Sequence, residues 1–108
     1  MLKSELYEII NLTKEGAEVK LLKSSVVYAA HFPGYPITPG VVIVKIAVEL
    51  MSEICGHAVD VISARNIKFI SPVIPADDTR LVYQFGDSGS VSVLMDGKVC
   101  ASMALKLQ

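Results

Sequence analysis

The sequence predicts an α+β fold in which an antiparallel sheet of about six strands is covered by one helix. Three observations carry this. Most of the chain reads as short apolar segments with alternating pattern, separated by turn signals. Asp96-Gly97, between two such segments, is the strongest short-range hairpin signal. Only one segment, residues 40–55, has the length and the flanks of a helix.

The elements follow in order. Residues 5–13 (ELYEIINLT) read as a strand, and Lys14-Glu15-Gly16 as a turn. Residues 17–28 alternate through Val19, Leu21 and Lys23, which predicts a second strand. A loop rich in proline and glycine covers 29–40. In the helix that follows, Thr38 is placed to cap, Pro39 suits the first helical position and Gly56 the stop. The run Val41–Val44 has strand propensity, but length and flanks decide for helix. A helix apolar almost all round is expected to be buried. Residues 58–70 alternate as a long strand, broken by the segment Ser71–Asp78. Strands are expected at 79–86, 90–95 and 98–107, the first two joined by Gly86-Asp87-Ser88-Gly89.

The 108 residues fit a single domain over 1–108, and 52% hydrophobic against 19% charged excludes intrinsic disorder. An apolar excess in so small a chain points to a subunit interface. The net charge of -1, without any basic block, argues against nucleic acid as partner. Lys3, Glu5 and Glu8 interrupt the first apolar run, so no signal peptide is expected. The longest apolar run, Val41–Val44, is far short of a membrane span. The expectation is a cytoplasmic protein. Cys55 and Cys100 form no disulfide framework and read as buried thiols, and His31 and His57 form no metal motif.

The chemistry concentrates in HFPGYPITPG, residues 31–40. Pro33, Pro36 and Pro39 stiffen this loop, and it ends where a helix begins. The first N–H groups of a helix lack partners, and the dipole there is positive, so a carbonyl oxygen can be polarised. His31 opens the loop, and a neutral imidazole is the natural general base near pH 7. Together they suggest proton abstraction alpha to a carbonyl. A histidine merely held by backbone hydrogen bonds in a stiff turn would give the same sequence.

These residues resemble the signature H-F-P-G-x-P-x-x-P-G-x-L of the beta-hydroxyacyl-acyl-carrier-protein dehydratases. A second block, Ile67-Lys68-Phe69-Ile70-Ser71-Pro72-Val73-Ile74-Pro75-Ala76-Asp77, is similar to that family's F-x-x-P-V-x-P-G-D, and the closing Asp96-Gly97-Lys98-Val99 is similar too. The resemblance runs from about Leu6 to near the last residue. The N-terminal helix of longer members has no counterpart.

The resemblance implies a hot-dog fold, a curved antiparallel sheet wrapped around a central helix. It implies an oligomer, at least a dimer, with the site in a tunnel between subunits, and neither metal nor cofactor. The implied substrate is a 3-hydroxyacyl thioester on the phosphopantetheine arm of acyl carrier protein, dehydrated to a trans-2-enoyl thioester. His31 would be the base, and Gly40 would lie at the carbonyl-binding turn. Val41, Phe32, Phe69 and Pro72 would be further substrate-binding residues, although ordinary core packing explains Phe69 and Pro72 equally well. Lys20, Lys23, Arg65, Lys68 and Arg80 are available as a basic rim for the carrier.

The family's helix carboxylate departs. Its position, fourteen residues after His31, holds Lys45, while Glu49 stands one turn later, where many members have glutamine. One reading is a divergent dehydratase in which Lys45, or Glu49 as substitute acid, protonates the leaving hydroxyl. A turn of helix is about 5 Å, which is more displacement than catalytic positioning tolerates. Another is a half-site subunit whose His31 serves the carboxylate of a paralogue in a heterodimer. Either is compatible with a Lys45–Glu49 ion pair, within the helix or across the dimer. A hot-dog thioesterase is the remaining alternative, since the fold hosts several thioester chemistries.

Overall fold

The computed structural model describes residues 2–30, 34 and 36–108. Six strands form one antiparallel sheet: β1 (Tyr7–Thr13), β2 (Gly16–Leu21), β3 (Val61–Phe69), β4 (Arg80–Phe85), β5 (Ser90–Met95) and β6 (Lys98–Leu107), in the order β1-β2-β4-β5-β6-β3. Hairpins join β1 to β2, β4 to β5 and β5 to β6. The chain leaves β2 through a short helix α1 (Val26–Ala30) and the long helix α2 (Gly40–Cys55) before β3 closes the far edge. The predicted architecture is present.

The core lies between α2 and one face of the sheet. Ile46, Ala47 and Leu50 of α2 are fully buried against Val19, Leu81, Tyr83, Val93 and Ala101. Alternation puts these strand residues on the inner face, since successive side chains point to opposite sides. Three buried tyrosine hydroxyls then tie α2 and its approach to the rest. Tyr83 Oη donates to Ile43 O at 2.8 Å, Tyr7 Oη donates to Glu49 Oε1 at 2.9 Å, and Tyr28 Oη shares a hydrogen with Thr38 Oγ1 at 2.9 Å.

Four expectations need correction. The second strand stops at Leu21, and Val26–Ala30 is helical rather than extended. Ser25 is the cause: its Oγ accepts from Val27 N at 3.3 Å and its carbonyl from Tyr28 N at 3.1 Å, a serine cap that overrides two β-branched valines. Helix α2 has the expected bounds, but Pro39 is its N-cap and no side chain caps it, because the Thr38 hydroxyl is taken by Tyr28. Gly56 does end it, in the left-handed conformation (φ 79°) that glycine adopts without strain. Third, α2 is buried on one side only. Val41 is 75% exposed and Lys45 is exposed, because a single sheet covers a single face of the helix. Last, Cys100 is buried as expected but Cys55 is exposed at the end of α2.

Candidate active site

The start of α2 packs against the end of β3. Gly40 carries no side chain where one would collide: a Cβ there would lie 2.6 Å from two atoms of the Phe69 ring. The ring therefore rests directly on the first turn of the helix. Around this contact is a cavity of about 470 Å³, lined by Ile37, Gly40, Val41, Phe69, Ile70 and Pro72. Four residues singled out in the sequence, Gly40, Val41, Phe69 and Pro72, are thus brought together. His31 and Phe32 lie outside the described residues.

The backbone at this point has spare donors. Val42 N and Ile43 N both donate to Pro39 O, at 3.0 and 3.2 Å. The N–H groups of Gly40 and Val41 have no acceptor among the described residues. Both residues line the cavity, at the positive end of a sixteen-residue helix.

Lys45 and Glu49 stand elsewhere. Both line a second cavity of about 460 Å³, with Val48, Ser52, Glu53 and His57, toward the other end of α2. Lys45 makes no ion pair among the described residues. The pairing within the helix is therefore not present in this chain. Glu49 instead accepts three hydrogen bonds, from Leu2 N (2.8 Å), Lys3 N (3.1 Å) and Tyr7 Oη (2.9 Å), and is 8% exposed. The segment before β1 turns over at Ser4 (φ 73°) to deliver these donors, and Lys3 Nζ pairs with Glu53. Lysine before glutamate at this spacing is the poorer orientation on a helix, and three better-placed donors displace it. Burial first, and then the Glu49 carboxylate, push the Tyr7 phenol well above its ordinary value, so it remains a donor.

The basic residues separate into two groups. Lys23 pairs with Asp77 at 3.5 Å, and Arg80 with Asp78 at 3.1 Å and Glu18 at 4.0 Å. Lys20 on β2, and Arg65 and Lys68 on β3, make no ion pair among the described residues. His57 is exposed, with Nδ1 3.1 Å from Ala58 O. No group of three or more potential metal ligands occurs among the described residues, nor is any described helix long and apolar enough to cross a membrane.

Two features were missed in the sequence. The three donors on Glu49 come from residues far away along the chain and leave no local pattern. The Tyr28–Thr38 bond did have a signal, a tyrosine and a threonine bracketing the proline loop, but alternation assigned Tyr28 to a strand.

Comparison with known proteins gives consistent likenesses. A family model described as ApeI-like, ApeI dehydratase, matches residues 11–104. A 3-hydroxyacyl-[acyl-carrier-protein] dehydratase FabZ of Geobacter metallireducens is 30% identical over 100 aligned positions, covering 73% of this chain and 63% of its own length. The FabZ of Campylobacter curvus is 34% identical over 103 positions, covering 74% of this chain and 67% of its own. The chain thus spans about two-thirds of the length of these curated relatives. In fold it is similar to the dehydratase heterocomplex ApeI:P from Xenorhabdus doucetiae (TM-score 0.71, 17% identity, 94% of this chain and 96% of that one). It is also similar to the TT0310 protein from Thermus thermophilus (TM-score 0.65, 14% identity, 98% of this chain and 93% of that one).

Proposed function

The chain belongs to the ApeI-like dehydratase family, with a hot-dog fold, and from that premise we propose that it dehydrates 3-hydroxyacyl thioesters carried on acyl carrier protein. The observation that carries the reading is the α2 start, where Gly40 and Val41, whose N–H groups have no acceptor among the described residues, line a cavity together with Phe69. A thioester carbonyl suits that place. Its oxygen would accept from Gly40 and Val41, and its acyl chain would run along Phe69 and Pro72.

The chemistry then follows. His31 removes the proton alpha to the carbonyl, while negative charge grows on the oxygen held by the two N–H groups. The bond from the β-carbon to the hydroxyl breaks, a proton is delivered to that oxygen, and water leaves behind a trans-2-enoyl thioester. Lys45 of a second subunit is the proposed proton donor. Glu49 is the weaker choice, because its carboxylate accepts three hydrogen bonds on the N-terminal segment. No metal or other cofactor is assigned a part in this scheme.

A second copy is proposed to pair along β3. This strand is one edge of the sheet, and Ile62, Ile67 and Phe69 on it are 53%, 42% and 52% exposed. Such an edge is normally covered. Acyl carrier protein is the further partner, with Arg65 and Lys68 as its basic contacts.

A half-site subunit is the second reading, favoured by one observation: no carboxylate lines the cavity at the start of α2 among the described residues. In that case His31 would serve the acid of a paralogue. Hydration of a crotonyl thioester on carrier protein tests both. Under the first reading the wild type is active, and His31→Ala loses at least about a hundredfold. Under the second the wild type is silent alone and Lys45→Glu gains activity. Silence of every variant, alone and with a paralogue, would reject both.

A further inference from the structure

We infer that Tyr28 is a positioning residue for the start of α2: by holding Thr38, it fixes where the N–H groups of Gly40 and Val41 point. The inference rests on the dehydratase reading of that turn. Tyr28 lies on α1 and Thr38 just before α2, ten residues on, so their 2.9 Å bond ties the approach to α2 to α1. Tyr28 is 3% exposed and Thr38 4%, and water cannot replace a partner that is lost.

Thr38 is held from its other side as well. Its backbone N–H donates to Val73 O at 2.8 Å, and Val73 is 1% exposed. Next comes Pro39, at φ -60° and ψ 145°, a stiff link that passes any shift of Thr38 to Gly40. One turn later Tyr83 holds Ile43 O. Two tyrosines from two elements therefore bracket the two N–H groups. The Tyr28 bond has a second effect. The Thr38 hydroxyl is thereby engaged by Tyr28, and no side chain caps the first turn of α2.

The test compares Tyr28→Phe, Thr38→Val, their double variant and Thr38→Ser in the full chain. Three quantities are read: kcat and KM for the crotonyl thioester on carrier protein, hydrogen exchange of individual backbone amides, and the unfolding midpoint. Tyr28→Phe is expected to lower kcat about tenfold, with KM within about twofold. The amides of Thr38, Val42 and Ile43, which donate to Val73 O and Pro39 O, should exchange faster while those of β4, β5 and β6 keep their protection. Thr38→Val should match it, the double variant should be no worse than either, and Thr38→Ser should retain both kcat and protection. Unchanged exchange at Thr38, Val42 and Ile43 in Tyr28→Phe would overturn the inference. So would faster exchange spread evenly over the sheet with a lowered midpoint, which is loss of the fold. If the wild type is silent under every condition, the dehydratase reading fails, and amide exchange alone decides on Tyr28 by the same two outcomes.

Discussion

Lys45 and Glu49 stand one turn apart on α2 yet meet different surroundings. Lys45 is exposed, whereas Glu49 is enclosed by donors 47, 46 and 42 residues away in sequence. A buried carboxylate is tolerated when its oxygens are satisfied, and these are. Replacing the charge weakens every bond to it. Glu49→Gln is expected to lower the unfolding free energy by about 1–3 kcal/mol in urea titrations. Tyr7→Phe made in that background should cost less than Tyr7→Phe alone, since the two share one bond. In the sequence Glu49 stands out as a possible substitute acid one turn after Lys45. The pairing with Lys45 inside one helix does not form, and the sequence hides this because spacing along a helix is visible in it and a turn at Ser4 is not. Gly40 was legible for the opposite reason, as its tight approach to Phe69 is recorded in a ten-residue motif.

Among the elements, α2 was legible to the residue because Pro39 and Gly56 punctuate it. The helix α1 was not, since Val26 and Val27 favour strand and only the Ser25 cap turns them. The register of β3 was also hidden. Its alternation runs through 58–70, yet the strand keeps only Val61–Phe69, and its pairing with β6 slips between Arg65 and Lys68, where Asn66 has φ 54°. Pattern shows which residues alternate, and it cannot show that both faces of an edge strand are open. If a second copy pairs there, Ile67→Lys is expected to shift the protein from oligomer to monomer in sedimentation, with its circular dichroism kept. Ile10→Lys, at a position 44% exposed on the opposite edge, should leave the assembly unchanged.

Over the whole molecule, the buried tyrosines set a limit at high pH. Burial is the first cause that raises Tyr7, Tyr28 and Tyr83 above the ordinary value of 10.0. A raised folded value means that the native state keeps a proton the unfolded chain gives up. This contribution to stability is complete below about pH 10 and falls as pH rises above it, by up to about 1.4 kcal/mol per pH unit for each group. Urea unfolding between pH 8 and 12, on the order of one-unit steps, should show the decline, and Tyr83→Phe should make it shallower.

The two outermost strands share one more property. The pairing of β1 slips between Ile9 and Asn11, as that of β3 does between Arg65 and Lys68. Each rim of the sheet is therefore kinked part-way along and offers no straight row of amides. A strand arriving from another molecule can match half of a rim but not its full length. That geometry disfavours the stacking of chain upon chain into an endless ribbon, and it favours growth that halts at a small, closed number of copies.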